Sequence, residues 1–189
     1  MSGARLSETQ RVIGFDPGLA STGWAVVEYQ KDLRQPCHVA HGVIKTNADA
    51  PIQERVNKFN REVRTLLEWH GVIPTDLGID VQVCVESYQN YGRVFWNGVQ
   101  TLYILGALFT QADALGYTVH LISAKDSKRG IGVKDGQKTT VQKAVQEILG
   151  LPKPPKPTHA ADALCVALAH LEQLHPGCAR APRAKARAA

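Results

Sequence analysis

Arg11-Val12-Ile13-Gly14-Phe15-Asp16-Pro17-Gly18 is an apolar run that stops at a carboxylate, a proline and a glycine. Proline offers a sheet no amide proton and glycine tolerates positive φ, so a strand over residues 11–15 ends there with Asp16 at its tip. Working outward, residues 22–29 and 37–46 carry the valines and aromatics of strands on either side of a polar turn over 30–35, which makes an antiparallel meander. A fourth strand, residues 81–85, carries Glu86 at its end, and residues 117–122 form a fifth. Between them Ile52, Val56, Phe59, Val63, Leu66 and Leu67 recur at helical spacing until Gly71 and Pro74 stop the pattern. Further helices are predicted over 99–115, 139–149 and 159–174, the last with Thr158 as its N-cap and Pro176-Gly177 beyond its end. An aromatic, glycine-punctuated loop follows Glu86 and a basic loop follows the fifth strand. Three strands and a helix, then strands alternating with helices, predict an α/β domain: a mixed five-stranded sheet flanked by helices.

The 189 residues suit one domain, expected over 11–175, between a flexible extension over 1–10 and a basic, disordered tail over 176–189. With 44% hydrophobic and 21% charged residues the composition excludes a disordered or fibrous class. Apolar runs fall short of the roughly 20 residues that a membrane helix needs, and the polar start is unlike a secretion signal, so a cytoplasmic protein is expected. Cys37, Cys84, Cys165 and Cys178 form no paired motif, which argues for reduced thiols rather than a zinc cluster or disulfide framework. The net charge of +5 favours a polyanionic partner, though many proteins without one carry as much. Its placement says more, because Lys125, Lys128, Arg129, Lys134, Lys138 and Lys143 crowd one stretch.

Asp16 and Glu86 sit at strand ends, and Asp162 falls on the first turn of the last helix with His159 three residues before it on the same face. If the first and fourth strands are parallel neighbours, and the helix crosses their ends, the four groups converge. Clustered carboxylates repel, and oxygen-rich clusters are held together by Mg²⁺ or Mn²⁺. Two such ions can hydrolyse a phosphodiester without a nucleophilic side chain. Each residue also has an ordinary reading: Asp16 as a turn former, Asp162 as first-turn helix charge, His159 as a polar N-terminal residue. Glu86 is harder to explain that way, because it follows the buried-looking run Val83-Cys84-Val85. Spacing alone leaves the function open.

Val12-Ile13-Gly14-Phe15-Asp16-Pro17-Gly18 with Thr22-Gly23-Trp24-Ala25-Val26-Val27 resembles the opening of the RuvC family of Holliday junction resolvases. Val85-Glu86 resembles that family's second acidic motif, Gly130-Ile131-Gly132 its basic loop, Val141-Gln142 the helix beyond, and His159-Ala160-Ala161-Asp162-Ala163-Leu164 its last acidic motif, all in family order. The resemblance implies an RNase H-like fold and a homodimer. It makes Asp16, Glu86 and Asp162 metal-binding catalytic carboxylates that nick a four-way DNA junction symmetrically. His159, where the family often has Asp, is expected to bind metal or position water. Lys128 and Lys138 match backbone-contacting positions, and by charge Lys125, Arg129 and Lys134 join them on DNA. After Glu86 the family commonly has Gln and then an aromatic, whereas here Ser87 precedes Tyr88 and Tyr91, which are expected to stack on unpaired bases. A branch-migration helicase is a further partner to consider.

Three other readings compete. Asp-x-Gly followed by Thr-Gly also resembles the phosphate loop of the sugar kinase and actin superfamily, but its second phosphate loop is missing from this sequence. The fold would also suit an RNA-processing nuclease or a branched-DNA binding protein that does not cut. For a dimer surface the expectation is the second helix, with Leu102, Ile104, Leu105, Leu108, Gly106 and Ala107.

Overall fold

The computed structural model describes residues 9–71, 79–88, 96–134 and 137–180, with the side chains of Trp96 and Asn97 left aside. In chain order the elements are β1 (Thr9–Asp16), β2 (Ser21–Gln30), β3 (Gln35–Lys45), α1 (Ile52–Gly71), β4 (Ile79–Ser87), α2 (Trp96–Ala114), β5 (Val119–Ser123), α3 (Ala124–Gly130), α4 (Lys138–Leu149) and α5 (Thr158–Leu174). The sheet runs β3-β2-β1-β4-β5. β1 pairs antiparallel with β2 and parallel with β4, and β5 continues the parallel half, so the sheet is mixed as expected.

Alternation along each strand sorts side chains onto two faces. Val12 of β1 and Cys84 of β4 point into a core shared with α4 and α5, while Ile13, Phe15, Val83 and Val85 point into a second core under α1 and α2. Helix α1 supplies Phe59, Val63, Leu66 and Leu67 to that second core, the stripe its periodicity predicts.

Helix α5 lies against β1 and β2 at very short range, and two glycines make this approach sterically workable. A Cβ on Gly14 would come within 2.7 Å of the Ala163 carbonyl, and one on Gly23 within 1.9 Å of the His159 carbonyl. The first turn of α5 is thus pressed onto the carboxyl end of β1.

Several local expectations are corrected. β1 begins at Thr9, so Gln10 belongs to the sheet and bonds Asp80 and His175. The first part of the expected basic loop is a helix, α3, capped by Ser123, whose Oγ accepts from the Asp126 amide. Thr158 opens α5 inside the helix; the cap position is Pro157, which has no side-chain bond to give. Ile104, Leu105, Ala107 and Leu108 of α2 are buried in the chain's own core, leaving Leu102, Tyr103, Gly106 and Phe109 on the outside. Residues 176–180, expected to begin the tail, fold back onto Glu172, which accepts from the amides of Gly177 and Ala179 and pairs with Arg180. The remainder of the expected extension and tail, 1–8 and 181–189, lies outside the described residues. The four cysteines are free, and no helix among the described residues is long and apolar enough to cross a membrane.

Candidate metal centre

Because Val12 and Gly14 face α5, Asp16, two residues further along the same strand, faces it as well. In parallel β4 the partner of Phe15 is Val85, so Glu86 stands beside Asp16 on that face. His159 and Asp162 descend onto the same spot from the first turn of α5. One ligand atom each from Asp16, His159 and Asp162 lies within 4.8 Å of the others. Nδ1 of His159 is 2.7 Å from Oδ2 of Asp16.

Electrostatics register how closely the acidic groups are held. Burial, with the charges of Asp16 and Asp162 adding to it, pushes Glu86 up to about 7, and Lys128 works against that rise. Asp162 is raised by burial and by Asp16, with Lys128, Lys138 and His159 opposing. The hydrogen bond to Asp16 raises His159 against the opposing effect of its own burial. Carboxylates raised by burial and by one another are short of positive charge, and three carboxylates with one imidazole are the donor set of a divalent cation. The residues fit a metal.

Of the expected DNA-contacting residues, Lys128 and Lys138 act electrostatically on the centre, whereas Lys125, Arg129 and Lys134 are exposed around α3. Tyr88 is half-buried and packs against the core under α1 and α2, with its hydroxyl end where a Cβ on Gly98 would be, so it is a packing residue in this conformation rather than an open stacking platform. Tyr91 lies outside the described residues.

Supports that the sequence did not disclose hold the loop after Asp16. Thr22 is 1% exposed; its hydroxyl donates to the Gly18 carbonyl at 2.8 Å and accepts from the Gly18 amide at 3.3 Å. Thr46 adds a second clamp, its hydroxyl donating to the Leu19 carbonyl and its amide to that of Ala20. Thr22 stands in the quoted opening motif, where a buried hydroxyl beside a glycine turn is the available signal; nothing in the sequence marks Thr46.

A mixed sheet in this order, with carboxylates from β1, β4 and the last helix meeting over its parallel half, defines an RNase H-like domain of the resolvase kind. The chain belongs to the crossover junction endodeoxyribonuclease RuvC family, an enzyme family of metal-dependent nucleases, whose sequence model matches residues 12–170. It is 33% identical over 178 residues to the Corynebacterium glutamicum crossover junction endodeoxyribonuclease RuvC, covering 93% of this chain and 72% of that one. With the Thermus thermophilus enzyme of the same name it shares 30% over 171 residues, or 89% of this chain and 98% of the relative. The solved structure of T. thermophilus RuvC in complex with Holliday junction substrate superposes with a TM-score of 0.74 at 28% identity, covering 90% of this chain and 98% of that one. The yeast mitochondrial Holliday junction resolvase Ydc2, at 12% identity and a TM-score of 0.59 over 87% of this chain and 80% of its own, shares the fold.

Proposed function

We infer that this chain is a cytoplasmic, homodimeric endodeoxyribonuclease that resolves four-way DNA junctions by paired symmetric nicks. The observation that carries the reading is the meeting of Asp16, His159 and Asp162 within 4.8 Å, with Glu86 alongside. Asp16, Glu86 and Asp162 would hold the cations, Mg²⁺ or Mn²⁺ and two per site, and His159 would join them as ligand or as the group that orients the attacking water. When bound, such ions supply an activated water and neutralise the leaving oxygen. The Thr22 clamp on Gly18 fixes the loop that leaves Asp16, and His159 holds the Asp16 carboxylate itself. Lys128 and Lys138, beside the carboxylates, draw the scissile phosphate toward a centre that would otherwise repel it. Lys125, Arg129 and Lys134 extend that attraction along the backbone, with Tyr91 offered to unpaired bases.

A symmetric substrate calls for a symmetric enzyme. The outer face of α2, where Leu102, Tyr103 and Phe109 are exposed around Gly106, supplies an apolar surface on which two copies meet about a twofold axis. A branch-migration helicase would then act on the same DNA from outside this dimer.

The test is cleavage of a labelled mobile four-way junction in Mg²⁺ and in Mn²⁺, beside linear duplex and matched RNA. Paired nicks at symmetric positions in the junction alone are expected. Faster cutting of RNA would assign the site to RNA processing, and tight junction binding without metal-dependent cutting would leave a recognition protein.

A further inference from the structure

The loop that leaves Asp16 is tied to α1 through Thr46, and a cleft opens at that tie. The Thr46 hydroxyl that donates to Leu19 also accepts from Nε of Arg55, at 3.0 Å. Around this contact, between the turn after β3 and the start of α1, lies a cleft of about 370 Å³ lined by Asn47, Arg55, Asn57, Lys58, Arg61 and Glu54, among others. Its lining is rich in donors. Nε is one of five guanidinium N–H groups, so four remain on Arg55 once Thr46 is served. The Asn47 side-chain oxygen accepts from the Asp49 amide at 3.1 Å, which leaves its NH₂ unused by that turn. Lys58 is shared with Glu62 at 3.4 Å, but both side chains are more than 40% exposed, and such pairs exchange partners at little cost. Three cations in the lining stand against one carboxylate, Glu54.

We propose that this cleft is a backbone subsite for DNA, holding phosphates of the junction arm that leads away from the cut. The proposal rests on the junction-nuclease reading, and two features favour a nucleic-acid strand. The cleft is positive and rich in N–H donors, the chemistry that phosphodiesters require. It also stands at the same end of the sheet as the metal centre, because Ser21 pairs with Lys45 one residue before Thr46. The cleft lies on the α1 side of the sheet and the metal centre on the α5 side, so a strand whose scissile phosphate lies at Asp16 reaches it by passing over this end of the sheet. Arg55 is already fixed by Thr46, so little of its freedom is lost on binding.

Binding of a four-way junction in EDTA is measured across a salt series for the full chain and for Lys58→Gln/Arg61→Gln, using junctions with single neutral methylphosphonates stepped along each arm. Both side chains are solvent-facing, so the variant is expected to fold. The slope of log affinity against log salt should become shallower by about 1.8, two contacts at roughly 0.9 each. Neutralising one or two arm phosphates should weaken the natural chain severalfold and add nothing in the variant. An unchanged slope, or losses that add in the variant at every position, overturns the subsite. A natural chain that binds junction no better than linear duplex sinks the junction-selective reading instead, and that result needs no variant to see.

Discussion

Helices α1 and α2 cover one face of the sheet with bulk: Phe15, Phe59, Leu67, Ile104 and Leu108 are fully buried there. Helix α5 covers the other face, and where it crosses β1 and β2 most closely the contact is made by small residues, Gly14, Gly23, Ala163 and Ala167, beside a core that also buries Val27, Leu164, Leu168 and Leu171. The bulky face tolerates adjustment, because large side chains can shift rotamers to absorb a change. The close-packed face cannot, since backbone meets backbone, and it is the face that carries the carboxylates. Both faces thus bury an apolar core, and the glycine contacts add positional accuracy on the side that carries the carboxylates.

Substitutions on each face separate these roles. Gly23→Ala places a methyl 1.9 Å from the His159 carbonyl, so α5 must lift and carry His159 and Asp162 away from Asp16. Junction nicking is expected to fall at least about 100-fold, the scale on which an ångström of misplacement acts; near-normal nicking would show that the close approach is dispensable. Leu67→Ala, on the bulky face, is expected to cost about 3 kcal/mol in urea unfolding while the folded fraction cuts at its normal rate.

His170, on α5, is 4% exposed and lies against His120 with ring centroids 4.7 Å apart. Burial, then the neighbouring His120, lowers it to about 4, against a smaller opposing effect of Gln173. The folded chain therefore binds fewer protons than the unfolded one between pH 6.5 and 4. Stability is full above 6.5 and falls as the pH drops through that window, by on the order of 2 kcal/mol. His170→Leu should flatten that part of the stability curve relative to the natural chain, and an identical slope would show that His170 titrates normally.

The smallest effect is expected outside both cores. Gly106 on α2 has nothing within 4 Å of where a Cβ would stand. Gly106→Ala should raise the stability of the dilute chain by about 0.5–1 kcal/mol through helix propensity. It should also weaken the proposed dimer, read by sedimentation; an unchanged dimer would move the contact away from Gly106.

The same contrast explains how far the sequence could be read. Asp16, Glu86 and Asp162 were legible because each stands at an element end marked by a change of pattern, and strand alternation then directs Asp16 and Glu86 to one face. Helix α3 was hidden, since seven charged and small residues carry no apolar period and its signal is the single cap Ser123. The surface of α2 was misassigned because the segment is apolar nearly all round, so periodicity cannot separate Leu108, which faces inward, from Phe109, which faces out. The Thr46 and Arg55 supports arise only when the end of β3 and the start of α1 are folded beside Leu19, a relation between segments that no local spacing encodes.

The most direct test of the proposed centre is single-turnover nicking of a four-way junction by Asp16→Asn, Glu86→Gln and Asp162→Asn, with junction binding measured alongside in EDTA. Each variant is expected to bind the junction as the natural chain does, or more tightly, and to nick it at least about 1,000-fold more slowly in both Mg²⁺ and Mn²⁺, the scale of loss seen when a key charge-stabilising group is removed. Nicking that survives within tenfold in any two of the three variants would contradict a centre built from these carboxylates.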